Sequence, residues 1–176
     1  MKRLTLAIIA VALLGLGALA AACSEESGLS LEEYFQRVDA VFADRDERVQ
    51  ALQDRGDFPE SQSEEEIAGY LRQSFEGLAS IASDFHSDLD QLEPPAEAED
   101  AHNELVAAVE PIPALFEGVA GQVPTTLTRE ASEQYDPFPG GEGTEPLMRL
   151  DEACAALQTI ADDNQITIDL ACEEEG

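Results

Sequence analysis

The chain contains two histidines, His86 and His102, and their spacing is the first feature that could support chemistry. They lie eight residues before and eight residues after Pro94, where we expect a turn between two helices. In an antiparallel helix pair, equal distances from the turn place both histidines at the same height, each at the flank of its apolar stripe. If both side chains point to the shared seam, they could bind Zn²⁺ or Cu²⁺ with a carboxylate such as Asp90 or Glu99. If both point away from it, they are ordinary boundary residues.

Cys154 and Cys172 form the second candidate pair. The third cysteine, Cys23, directly follows the apolar N-terminal stretch and is not counted with them. In a protein that is exported from the cytoplasm, an even pair of cysteines indicates a disulfide. For a loop of this length, chain entropy predicts a stabilisation of about 3 kcal/mol. Two free buried thiols and a redox pair are the alternatives, although the spacing differs widely from Cys-x-x-Cys.

The sequence contains none of the short motifs that carry catalysis. Gly-x-Ser-x-Gly, His-Glu-x-x-His, two copies of Glu-x-x-His, a dinucleotide fingerprint and an EF-hand loop are all missing. The glycines at 140, 141 and 143 follow no strand and lack the Gly-Lys-Ser/Thr ending of a phosphate-binding loop, so a surface loop is the better interpretation. We therefore predict a non-enzymatic protein with no catalytic residues.

The N-terminal segment decides where the domain is located. Lys2 and Arg3 precede an apolar stretch that ends in Leu19-Ala20-Ala21-Ala22-Cys23. This arrangement resembles a bacterial lipoprotein signal, in which the cysteine is lipidated on its sulfur and becomes the N-terminus after cleavage. The resemblance implies a signal peptide at 1–22 and a membrane anchor at Cys23. The alternative is an uncleaved transmembrane segment, and both interpretations place the rest of the chain outside the cytoplasm.

Charge is the most extreme feature of the composition. The chain has a net charge of −29, and removing Lys2 and Arg3 with the leader takes this to −31. Such a surface repels phosphate backbones, so nucleic-acid binding is disfavoured, and a charged partner should be a cationic protein or divalent cations. Solvated helix faces that keep an exported protein soluble are the simplest interpretation of the charge.

Apolar residues recur at helical spacing in four stretches, which predicts an all-α domain at 30–176 after a tether at 23–29. The predicted helices, each bounded by a cap, a glycine or a proline, are residues 30–55, 61–93, 95–121 and 146–163. Pro111 and Pro113 should bend the third helix. The alternating segment 166–170 should be extended, and the Cys172 disulfide would pin it back along the fourth helix.

These features predict a single antiparallel bundle of about four helices. Leu92-Glu93-Pro94-Pro95 followed by His102, then Cys154-Ala155-Ala156-Leu157 and Asp169-Leu170-Ala171-Cys172, is similar to a pattern in uncharacterised small helical lipoproteins of bacteria. That resemblance implies the architecture and no activity.

The predicted function is a lipid-anchored, extracytoplasmic, acidic helical domain at the bacterial cell membrane that acts by binding or scaffolding. Metal handling by His86 and His102 is one alternative, and it is the only one that needs a cofactor, a divalent metal. A small-molecule sensor with a pocket between its helices is another.

Overall fold

The computed structural model describes residues 29–55, 63–141, 143–170 and 172. The predicted signal peptide, the lipidation site Cys23 and the tether as far as residue 28 lie outside the described residues. The described residues form the helices α1 (Leu31–Gln53), α2 (Glu64–Asp90), α3 (Glu99–Val109), α4 (Ile112–Gln122), α5 (Arg129–Glu133) and α6 (Glu145–Asp163), with one 3₁₀ turn at Pro139–Gly141. They contain no β-strand, which confirms the all-α prediction.

Capping boxes begin the two longest helices. In α1 the Ser30 hydroxyl accepts from the Glu33 N–H, and the Glu33 carboxylate accepts from the Ser30 N–H. Ser63 and Glu66 make the same reciprocal pair at the start of α2. Each box satisfies N–H groups that the first turn of a helix leaves unbonded. The second helix was predicted from residue 61, which lies outside the described residues, and its N-cap in the structure is Ser63.

The first two helices run antiparallel. Phe42 of α1 packs edge to face on Phe85 near the end of α2, and Leu52 near the end of α1 lies against Gly77, further back in α2. The order of these contacts reverses along the two helices, as it must in an antiparallel pair. The structure contains no helix among the described residues that is both long enough and apolar enough to cross a membrane.

The predicted third helix is two helices, α3 and α4. Glu110 and Pro111 keep right-handed helical dihedral angles, with φ of −46° and −79°. Pro111 has no N–H to donate, however, so the backbone ladder is interrupted there, whereas Pro113 lies in the first turn of α4, where no intrahelical donor is needed. As a result α3 packs mainly against α6, whereas α4 packs mainly against α2.

The buried apolar residues form a main cluster and a smaller one. The main cluster joins α1, the second half of α2, α3, α6 and Leu170. The smaller cluster lies at the other end of α2, where Ile67 and Ala68 pack against Val123 and Leu127. Backbone and side-chain hydrogen bonds hold this end together, from the Leu127 N–H to the Glu64 carbonyl and from Arg72 to the carbonyls of Val123 and Pro124.

The C-terminal segment folds back along α6, as predicted. Ile166, Ile168 and Leu170 are buried or half-buried, while Thr167 and Asp169 between them are exposed. The Gln158 side chain donates to the Ile168 carbonyl and accepts from the Leu170 N–H, at 3.2 Å and 3.0 Å. The Cys154–Cys172 disulfide is confirmed, with a Cα–Cα distance of 5.6 Å across a sequence separation of 18.

Candidate functional site

A cleft of about 490 Å³ opens between α1, α2, α4 and α6. Clefts of about 300–1,000 Å³ with mostly apolar walls and a few polar groups are typical sites for small ligands. The cleft is lined by Arg45, Asp46, Val49, Leu78, Ile81, Ala82, Phe85, Val109, Ile112, Phe116, Leu147, Leu150, Asp151, Cys154 and Cys172.

Helical spacing explains why these walls are apolar. Leu78, Ile81 and Phe85 are three and four residues apart, so they share one face of α2. Ile112 and Phe116 of α4 have the same relation. Because the break at Pro111 turns α4 onto α2, its apolar face meets that of α2 at the cleft instead of continuing along α6.

Arg45 and Asp46 supply polar groups at the edge of the cleft. The Arg45 guanidinium carbon lies 4.6 Å from the centroid of the Phe42 ring and 5.0 Å from that of Phe85. Its Nε and one terminal nitrogen both contact Oδ1 of Asp46, at 2.8 Å and 2.7 Å. The guanidinium is therefore held by two rings and one carboxylate, and it covers part of the apolar core.

The disulfide is part of the cleft wall. Cys154 is buried in α6, and Cys172 is half-buried at the end of the returning segment. Both cysteines line the cleft, and the fully buried Leu170 anchors the segment two residues before Cys172. One side of the cleft therefore keeps its position through a covalent bond as well as through packing.

A second groove, of about 590 Å³, lies between α3 and α6. Its floor consists of small side chains, among them Ala107 and Ala153, and its rim is charged, with Glu104, Arg149 and Glu152. It lacks the aromatic and branched walls that remove a ligand from water, so the first cleft is the better candidate site.

The two histidines that the sequence singled out occupy different environments. His102 is buried in the main core with 3% of its surface exposed, and its Nδ1 lies 3.0 Å from the Tyr34 hydroxyl oxygen. Burial lowers the pKa of His102, and the nearby Asp90 carboxylate opposes that effect. Burial also raises the pKa of Tyr34. Both side chains therefore favour their neutral forms.

His86 is half-buried on α2 and makes no such contact. The equal spacing about Pro94 does not make the two positions equivalent, because α2 ends at Asp90, α3 begins at Glu99 and the intervening residues are not helical. Within the described residues, no group of three or more His, Cys, Asp or Glu side chains is arranged to hold a metal ion, and Asp90 and Glu99 form no such group with the histidines.

Sequence reasoning did not identify the polar edge of the cleft. The signal was the position of Arg45, which lies three residues after Phe42 and four before Val49, on the apolar face of α1. An arginine at such a position lies over the core, with its charged end at the surface. Its aromatic contact with α2 depends on tertiary packing.

Cys23 lies outside the described residues, so the structure leaves the predicted lipid anchor as a prediction. No protein-family model, no curated protein and no solved structure matches this chain.

Proposed function

We propose that the protein is a lipid-anchored, extracytoplasmic, non-enzymatic binding domain whose cleft takes a small, mostly apolar molecule. The observation that carries the proposal is the cleft itself. Its volume of about 490 Å³, its branched and aromatic walls and its few polar edge groups are those of a ligand site. The lipoprotein-type leader supports the anchor, and the disulfide fits an exported domain.

Two features favour small-molecule binding over scaffolding through an apolar patch. The apolar surface of α2 is already used by the two buried clusters and the cleft. Among the described residues, Met148 is the one large apolar side chain that is strongly exposed, at 51%. A scaffold that docks a protein on an apolar patch needs a wider exposed patch than this. A small molecule needs only the concave surface.

The test is to fill the cleft and measure the loss of binding. Leu147 is half-buried in the cleft wall at the start of α6, and its neighbour Met148 is exposed and outside the cleft. The full-length protein in nanodiscs should bind the neutral probe N-phenyl-1-naphthylamine saturably, after the signal of empty nanodiscs is subtracted. Leu147→Trp should weaken this binding by about tenfold or more, whereas Met148→Trp should leave it unchanged.

The chain contains no tryptophan, so each introduced ring also reports on its own surroundings. A blue-shifted emission from Leu147→Trp, with helix content equal to that of the wild type, would show that the ring fills the cleft of a folded protein. Absence of saturable binding by the wild type, or equal binding by both variants, would overturn the proposal.

A further inference from the structure

We infer that the cleft selects an organic cation with an apolar body, such as an arylalkyl ammonium ion, over a neutral or anionic analogue. This inference rests on the proposed function, since it assigns a ligand class to the same cleft. It depends on three observations, which are the charges inside the cleft, the contacts that Arg45 already makes and the electrostatic field of the whole molecule.

Among the described residues, the ionisable side chains that line the cleft are one arginine and two carboxylates, Arg45, Asp46 and Asp151. Their formal charges leave the cleft with an excess of one negative charge. Asp151 is half-buried beside apolar walls, where the dielectric constant is lower than in water, so its charge is screened less than a charge on an exposed helix face. An anionic group in the cleft would be repelled, and a cationic group attracted.

Arg45 is the group that could have favoured an anion, but it is already paired with a carboxylate of the cleft, Asp46. The guanidinium carbon lies within 5.0 Å of the centroids of two aromatic rings, and two of its nitrogens contact one oxygen of Asp46. An anionic ligand would have to compete with Asp46 for these donors. Asp46 contacts Arg45 through Oδ1 only, and its side chain is 53% exposed while it lines the cleft.

The field of the whole molecule acts in the same direction. The chain carries 38 acidic residues against nine basic ones, and a field of this sign raises the local concentration of cations at a cleft and lowers that of anions. The pairing of Arg45 with Phe42 and Phe85 also shows that this end of the cleft accommodates a cation beside aromatic rings. The body of the ligand would lie against Leu78, Ile112 and Phe116, and its ammonium group near Asp46 and Asp151.

The experiment compares three ligands that share one ring system and differ only in the attached group, namely naphthalen-2-ylmethylammonium, naphthalen-2-ylmethanol and 2-naphthoate. Binding is measured by equilibrium dialysis against full-length protein in nanodiscs of zwitterionic lipid, with empty nanodiscs as the blank. The ammonium ion should bind about tenfold more tightly than the alcohol at low salt, and the carboxylate most weakly. The preference for the ammonium ion should shrink as salt is added.

Matched variants separate the cleft from the overall charge. Asp151→Asn removes one carboxylate from the cleft, and Glu152→Gln removes one from the exposed surface of the same helix, so both change the net charge equally. Asp151→Asn should reduce the ratio of ammonium to alcohol affinity by about threefold, and Glu152→Gln should leave it unchanged. Asp46→Asn and Glu47→Gln form a second such pair on α1.

The outcomes are distinguishable. If all three ligands bind equally and Leu147→Trp abolishes their binding, the cleft is a ligand site without charge preference, and this inference fails while the proposed function stands. Ammonium binding that survives Leu147→Trp lies elsewhere on the acidic surface and also overturns the inference. If none of the three ligands binds but N-phenyl-1-naphthylamine does, only this inference fails; if that probe does not bind either, both proposals fail.

Discussion

The contact between Tyr34 and His102 is a polar interaction inside an otherwise apolar core. The hydroxyl and Nδ1 are 3.0 Å apart, and the two rings meet edge to face with centroids 5.8 Å apart. Which of the two atoms donates depends on the tautomer of His102. A buried polar atom without a partner destabilises the folded state, so each of these residues provides the partner that the other needs.

Burial of His102 makes stability depend on pH. The folded state lowers the pKa of this side chain, whereas in the unfolded chain it is about 6.5. The contribution of His102 to the free energy of unfolding should therefore be fully present above that value. It should fall as the pH drops below it, because the unfolded chain binds the proton first, and the fall should end once the folded protein is protonated as well. The slope is at most about 1.4 kcal/mol per pH unit for one group. Urea unfolding between pH 7.5 and 5.5 measures it.

The control for this prediction replaces each histidine in turn. His102→Gln should reduce the fall in unfolding free energy between the two pH values, and His86→Gln, which keeps His102, should still show the fall. A fall of equal size in the wild type and in His102→Gln would assign it to other groups.

At the level of the helices, two glycines of α2 test how closely α1 approaches. Gly69 has open space where a Cβ would be added, but at Gly77 a Cβ would lie 3.0 Å and 3.1 Å from the two methyl carbons of Leu52. Replacing glycine by alanine inside a helix stabilises it by about 0.4–1 kcal/mol where the new methyl group fits.

Gly69→Ala should therefore raise the free energy of unfolding by roughly 0.5–1 kcal/mol, whereas Gly77→Ala should gain less or become destabilising because Leu52 must move. Both positions lie in the same helix, so the helical preference of alanine is matched and the difference isolates the contact with α1. Chemical unfolding measures both variants, and equal gains would show that Leu52 moves away without a cost.

The starts of α1 and α2 and the break at Pro111 could be predicted because local chemistry decides them, whereas the third helix was predicted from residue 95 and begins at Glu99. Ser30 and Ser63 cap their helices through residues three positions away, and Pro111 interrupts the backbone ladder by its own covalent structure. What could not be predicted was the direction that the chain takes after Pro111. That direction depends on which distant helix offers the best apolar face. As a result, α3 packs on α6 and α4 packs on α2.

At the level of the whole molecule, the predicted anchor and the observed disulfide can be tested in one measurement. The intact mass of the membrane-extracted protein should equal residues 23–176 plus acyl chains, and reduction of the Cys154–Cys172 bond should add two hydrogens. A mass that retains residues 1–22 without lipid would replace the lipid anchor by an uncleaved membrane segment. An unchanged mass on reduction would show that the bond does not form in the cell.

The candidate site was less predictable than the disulfide. Cys154 and Cys172 are the two cysteines that remain once Cys23 is assigned to lipid, so counting was sufficient. The cleft depends on Arg45, Phe85 and the walls of α4 and α6, which meet only in the folded bundle. Metal binding by the histidine pair stays a prediction, and the equal spacing on which it was based spans non-helical residues between α2 and α3.

The division of the buried residues into two clusters has a consequence for local unfolding. The cleft-lining part of α2, from Leu78 to Phe85, lies toward the main cluster, whereas Ile67 and Ala68 belong to the smaller one. The smaller cluster buries fewer side chains, so partial opening of the molecule should begin there. Such an opening would release the first turns of α2 while the walls of the cleft keep their positions. The binding surface therefore belongs to the part of the bundle that should stay folded longest.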